Sequence, residues 1–223
     1  EVLTINKTTT GYEVQTNDAC YQCTSLVVAS GGLTMPKLGA SPIGYKIAQQ
    51  FGLNVLPTVA ALVPFTLHDH DKARFDGLSG ISIATEVISD SGTSFKENIL
   101  FTHRGISGPA ILQISSYWRA GQAVTINLLP EHSLSETIHL WRKEQASKSV
   151  KNLLATLLPK RFIDTLVESG DVPDKAVNQL NHSEIDSLHN FIHQWQIKPN
   201  GTEGYRTAEV TLGGVNTEEL SSK

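Results

Sequence analysis

Residues 132–198 read as consecutive amphipathic helices, whereas the stretches on either side alternate apolar and polar side chains with period two. That change of period and its return restrict the chain to an α+β fold in which a helical part interrupts a β part. Val150, Leu153, Leu154, Leu157 and Leu158 follow the i, i+3, i+4, i+7, i+8 spacing of one helix face. Ser133 and Glu136 have capping-box spacing ahead of Leu134, Ile138 and Trp141. Pro159 breaks the Val150 helix. Phe162, Ile163, Leu166 and Val167 then form another face, and Ile185, Leu188, Ile192 and Trp195 a last one.

The β part begins with Val2, Leu3 and Ile5, then Tyr12, Val14 and Thr16, two runs around Thr9-Thr10-Gly11 that predict a hairpin. Leu62 to Leu67 is strand-like and His68-Asp69-His70-Asp71 reads as a polar turn. Ile81 to Val87 alternates like a half-buried strand, and Asp90-Ser91-Gly92 turns it back toward Phe95 and Asn98 to Phe101. Short turns between these strands predict a small antiparallel sheet or barrel. Val124 to Leu128 and Ala208 to Leu212 add two more strands. The second rejoins the β part, which makes the helices an insertion. Near the start, Leu26-Val27-Val28-Ala29 is predicted as a buried strand running into Ser30-Gly31-Gly32. A loop with Pro36, Gly39, Pro42 and Gly44 follows, then a helix over Tyr45 to Phe51. A strand that meets glycines before a helix brings backbone close to a ligand.

The net charge of −4 gives no general reason to bind nucleic acid or an acidic membrane surface. No apolar run approaches the ~18 residues of a membrane span. Two cysteines make no disulfide framework, so the expected compartment is the cytoplasm. The first residue, Glu1, lies within a patterned β run, and the chain reads as a segment of a longer protein.

Individual motifs have plain readings. Cys20 and Cys23 sit three apart in a strand-like run, on opposite faces, and read as ordinary core or loop cysteines. His189 and His193 have the i, i+4 spacing of a zinc helix, but Asn190 stands where HExxH has glutamate, so they read as packing residues and no metal is expected. Arg142, Lys143, Lys148, Lys151, Lys160 and Arg161 read as a solvated face, with a polyanion contact as the other option. Gly31-Gly32 to Lys37 is not a phosphate-binding P-loop, because Leu38 follows the lysine. Gly105-Ile106-Ser107-Gly108-Pro109 opens a helix. It offers either free amides for an oxygen ligand or a purely structural cap. His103 and Arg104 stand beside it as a candidate proton donor and cation.

Four stretches in order, ASGGLTMPKLGASPIGYKIAQQFG (Ala29–Gly52), ALVPF (Ala61–Phe65), LFTHRGISGPAILQISSYW (Leu100–Trp118) and AEVTLGGVNTEEL (Ala208–Leu220), resemble the HI0933-like conserved bacterial flavoproteins. Members are described as NAD(P)/FAD-dependent oxidoreductases, some of them aminoacetone oxidase-like. The resemblance implies a partial FAD-binding α/β domain over 1–60, a β-barrel-like insert over 61–131 and 199–223, and an all-α subdomain over 132–198. It implies cofactor contacts from Ser30, Gly31 and Gly32, with Val2 at the position whose backbone meets the adenine. In such folds threonine usually precedes the glycine, and Ser30 keeps the hydroxyl.

The family's GxGxxG loop would precede Glu1, and its second FAD-contacting segment would follow Lys223. The expectation is therefore the central segment of an FAD-dependent oxidoreductase acting on an unassigned small molecule. NAD(P)H would be its electron donor and the remainder of its own FAD domain its partner. Such a segment would be inactive and hold FAD weakly by itself, with nucleic acid and membrane not expected as partners. The loop of Arg104, Gly105, Ser107 and Gly108 would face substrate or flavin, with His103 as the candidate catalytic residue. The alternative is a non-catalytic module that binds a partner or RNA, supported by the basic stretch Arg142–Arg161.

Overall fold

The computed structural model describes residues 1–221 as an α+β chain that divides into two compact units. The first unit comprises residues 1–59 and 210–221, and the second residues 60–209.

In the first unit, β1 (Val2–Lys7), β2 (Tyr12–Thr16) and β3 (Cys20–Cys23) form a three-stranded antiparallel sheet. The Thr8 N–H donates to the Gly11 carbonyl at 2.8 Å, closing the hairpin that the Thr-Thr-Gly run predicts. After α1 (Ile43–Gln50), β4 (Val55–Ala61) leads the chain out of this unit. Leu26 to Ala29 is not a strand. These residues are irregular, and Val27 and Val28 are exposed. An apolar run becomes a strand only where a neighbour takes its backbone hydrogen bonds, and among the described residues none pairs here.

In the second unit β5 (Phe65–Thr66) is followed by α2 (Asp69–Arg74), so the expected polar turn is a short helix. The order of charges accounts for it. Asp69 and Asp71 occupy the first turn and Lys72 and Arg74 the last, which complements the helix dipole. Next come β6 (Ser82–Ser89), β7 (Ser94–Thr102), β8 (Gly105–Ser107), α3 (Pro109–Ser115) and β9 (Val124–Asn127). Ile83, Thr85, Val87 and Ser89 point inward along β6, as the period-two pattern requires.

The helical part contains α4 (Leu134–Glu144), α5 (Val150–Leu154), α6 (Lys160–Glu168) and α7 (His182–His193). Ser133 caps α4 by accepting the Glu136 N–H. The full reciprocal capping box lies instead at Asn181 and Glu184, on α7. Helix α7 stops at His193, and Trp195 begins β10 (Trp195–Ile197); β11 (Gly201–Thr202) follows. The seven strands form one antiparallel sheet in the order β10-β9-β6-β7-β8-β5-β11.

Sheet and helices share one buried cluster. Ile83, Val87, Ile99 and Phe101 from the strands pack with Leu153, Phe162, Leu166 and Ile192 from the helices. The chain then returns to the first unit as β12 (Val210–Val215), which pairs with β4.

One polar device ties the helices to the sheet inside this unit. The Leu134 N–H donates to His193 Nε2 at 3.3 Å, so that nitrogen carries no proton, and Nδ1–H faces Asn127 Oδ1 at 2.9 Å. Burial, and secondarily His189, holds the His193 pKa below its ordinary value. A depressed histidine pKa means that the unfolded chain takes up the proton first. The stabilisation is therefore complete above about pH 6.5 and is lost as pH falls from there toward the folded pKa. Thermal melts over that window should show a falling midpoint in the wild type and a flatter profile in His193→Gln. Parallel profiles would remove His193 from the account.

Candidate functional site

The predicted site residues fall into two groups, one in each unit. In the first unit, β12 fixes the glycine segment. Thr211 Oγ1 accepts the Leu33 N–H at 3.0 Å, and a Cβ at Gly32 would stand 2.7 Å from that oxygen. Helix α1 approaches the same segment so closely that a Cβ at Gly44 would lie 2.6 Å from Ser30 Oγ. Gly31, at φ 72°, has open space where a side chain would project. Ser30, Gly31, Gly44, Tyr12, Tyr45 and Val28 line a cavity of about 920 Å³. Val2 does not share it. It lines a smaller recess of about 360 Å³ with Ser41, Lys46 and Gln50. The structure thus brings Ser30 and Gly31 to one wall and places Val2 at another.

In the second unit, His103 and Arg104 form the two-residue turn between β7 and β8. Thr102 Oγ1 accepts both the Arg104 and the Gly105 N–H, which makes this a side-chain-closed turn. His103 is exposed. Arg104 Nη1 pairs with Glu203 Oε2 at 3.1 Å, a partner ninety-nine residues away that no local pattern announces. Ser107 is half-buried in β8. A Cβ at Gly105 would meet the Phe65 carbonyl oxygen at 2.3 Å, and one at Gly108 the Asn98 carbonyl oxygen at 2.6 Å. Both glycines are explained by strand packing. Gly108 caps α3, with Pro109 at the first helical position, as expected.

Half of the basic stretch is already engaged. Arg142 donates to the Val177 and Leu180 carbonyls, Lys148 to Gln145, and Lys151 to Asp164. The side chains of Lys143, Lys160 and Arg161 have no hydrogen-bond or ion-pair partner among the described residues. His189 and His193 stack at 4.7 Å, with both ring nitrogens of His193 committed as above. Among the described residues no three His, Cys, Asp or Glu side chains converge on a common point.

The sequence profile described as HI0933-like protein barrel and H2TH domain matches residues 59–210. The chain is 52% identical over all 223 residues to the ribosomal RNA dihydrouridine synthase of Escherichia coli (strain K12), spanning 56% of that protein. It is 48% identical over 212 residues, 95% of the chain, to the enzyme of the same name from Haemophilus influenzae, spanning 53% of it. The chain therefore spans about half the length of the curated relatives it matches.

These relatives overturn three expectations. A segment of an NAD(P)-linked FAD oxidoreductase acting on a small molecule is not what they are named for, and the exclusion of nucleic acid fails because their named substrate is RNA. The charge argument missed this because a net charge averages over the surface, whereas phosphates respond to local cations.

Proposed function

We propose, from the premise that this chain belongs to the HI0933-like family, that it is the RNA-holding part of a ribosomal RNA dihydrouridine synthase. The observation that carries the reading is the 52% identity, across every residue of the chain, to a protein of that name. Among the described residues no helix is long and apolar enough to cross a membrane, and ribosomal RNA as the proposed substrate supports a cytoplasmic setting.

Saturating the uracil C5–C6 bond needs a hydride and a proton, and no protein side chain carries a hydride. A bound flavin in its reduced form would supply that hydride and be left as oxidised FAD. The residues present fit such a group. Ser30 offers a hydroxyl and Gly31 an unobstructed backbone along a cavity of about 920 Å³, and Gly32, outside its lining, precedes a peptide N–H fixed by Thr211. Val2 remains a proposed contact on its separate recess. His103, exposed on its turn, is the proposed proton-handling group, with Arg104 held beside it by Glu203. A target uridine must leave its stack to reach such groups, which favours a single-stranded or flexible site in the RNA.

The division into parts belongs to the same proposal: 1–60 as part of an FAD-binding domain, 61–131 with 199–209 as the barrel, and 132–198 as the helical subdomain. The sequence places 210–223 with the barrel. The pairing of β12 with β4 supports grouping 210–221 with the first part instead.

The test is to incubate the full-length protein, reduced, with ribosomal RNA and to look by mass spectrometry for a uridine that has gained two hydrogens. A yellow protein that never modifies RNA would sink the reading. The 223-residue segment alone should bind FAD weakly, because the wall it supplies is open. Saturable micromolar binding in a titration would contradict that.

A further inference from the structure

We propose that a recess in the second unit, between α2, the β7–β8 turn and the start of α6, binds the phosphodiester backbone of the RNA. This rests on the RNA reading above and says where on the chain the strand lies. The recess encloses about 90 Å³, the scale of a single phosphate group, and Lys72, Asp76, Gly77, Ser79, Thr102 and His103 line it. Its floor is apolar, with Leu67 and Phe75 buried beneath, which strengthens charge interactions at its mouth.

Two cations and an imidazole from three separate elements lie in or beside this recess, Lys72 and His103 in its lining and Arg161 next to its Gly77. Lys72 comes from α2 and His103 from the hairpin turn. Arg161 comes from the first turn of α6, and its Nη2 would be 3.5 Å from a Cβ at Gly77. His103, the Arg161 guanidinium, and both the amide and hydroxyl of Ser79 have no hydrogen-bond or ion-pair partner among the described residues. Lys72 is held only by Asp69, an exposed pair at 2.7 Å that yields readily to a stronger anion. The one carboxylate in the lining, Asp76, is turned to its neighbour and accepts the Gly77 N–H at 3.0 Å. A point cation, a guanidinium fork and uncommitted N–H and O–H donors around a pocket of this size form the donor set that phosphate oxygens take.

Charge read along the chain hides the site, because Lys72, His103 and Arg161 are far apart in sequence. Such contacts set the position of a strand without reading its sequence. In the full-length protein, the Lys72→Ala/Arg161→Ala double variant should therefore lose several-fold in affinity for ribosomal RNA fragments of any sequence. Its plot of log affinity against log salt should be shallower by about 0.7–1 for each cation removed. Arg161→Lys should retain most of the binding. Both residues are exposed, so unchanged thermal midpoints should accompany the loss. Wild-type protein that binds while the double variant matches it in affinity and salt slope would overturn the recess and leave the RNA reading standing. A loss seen only toward a free nucleotide such as ADP would also overturn it. Wild-type protein with no RNA affinity would overturn both.

Discussion

Gly108→Ala is expected to destabilise the sheet-and-helix unit by about 2–6 kcal/mol, a large share of the roughly 5–15 kcal/mol that holds a domain folded. Two costs combine. Gly108 sits at φ 93° and ψ 163°, a region that residues with a Cβ enter at about 1–3 kcal/mol. The new methyl would also lie 2.6 Å from the Asn98 carbonyl oxygen and 2.8 Å from the Leu100 nitrogen, so β7 itself must move. Forcing atoms into a packed interior typically costs about 1–3 kcal/mol more. Gly121→Ala separates the two contributions. Gly121 has φ 90° but nothing within 4 Å of its Cβ position, so only the conformational cost of about 1–2 kcal/mol should appear. Urea midpoints of the two variants give the comparison. Equal midpoints would mean that the strand relaxes freely and that the overlap is inconsequential. A lost activity in Gly108→Ala would therefore report on folding, and His103→Ala, at an exposed turn, is the cleaner probe of chemistry.

The reading of Gly105 and Gly108 shows where sequence reasoning stops. Their spacing before Pro109 announces a helix start correctly, yet it cannot say whether the glycines serve a ligand or a neighbouring strand. That is settled by Phe65 and Asn98, which approach from elsewhere in the chain. Periodic signals were legible because they need only local geometry. Val150, Leu153 and Leu154 are buried on one face of α5, and Ile83, Thr85 and Val87 on one face of β6. Leu26 to Ala29 misled because strand formation depends on a pairing partner, which an apolar run does not encode. His68 to Asp71 misled because four polar residues suggest a turn unless the following Lys72 and Arg74 are read with them as a dipole-matched helix. The pairs that build the candidate site, Arg104 with Glu203 and Leu33 with Thr211, span 99 and 178 residues and leave no trace in any window. The same holds for the substrate. The proposed class comes from the names of relatives, while the proposed place on this chain rests on side chains that come together only in the fold.

Phe101→Ala should cost about 3–5 kcal/mol and should weaken sheet and helices together. Phe101 is 2% exposed on β7, and its ring lies 5.5 Å from Phe75, 5.6 Å from Phe162 and 6.4 Å from Trp195. Those three come from the end of α2, from α6 and from β10, so the ring is the point at which the β part and the inserted helices meet. Removing it leaves a cavity bordered by large rigid rings, which collapse into space poorly, and this places the expected loss toward the upper part of the range. Phe101→Leu, which keeps most of the volume, should cost much less. In a double-mutant cycle, Phe101→Ala and Phe162→Ala should show a coupling of about 0.5–1.5 kcal/mol, because each ring contacts the other across the β–helix boundary. Unfolding followed by both far-ultraviolet dichroism and tryptophan fluorescence should remain a single transition, since Trp195 reports from the shared cluster. A wild type in which the helical dichroism and the tryptophan fluorescence are lost in separate transitions would show that the helical part has a core of its own. The contacts of Phe101 would then be peripheral to stability, and the insertion would have to be treated as an independently folding domain.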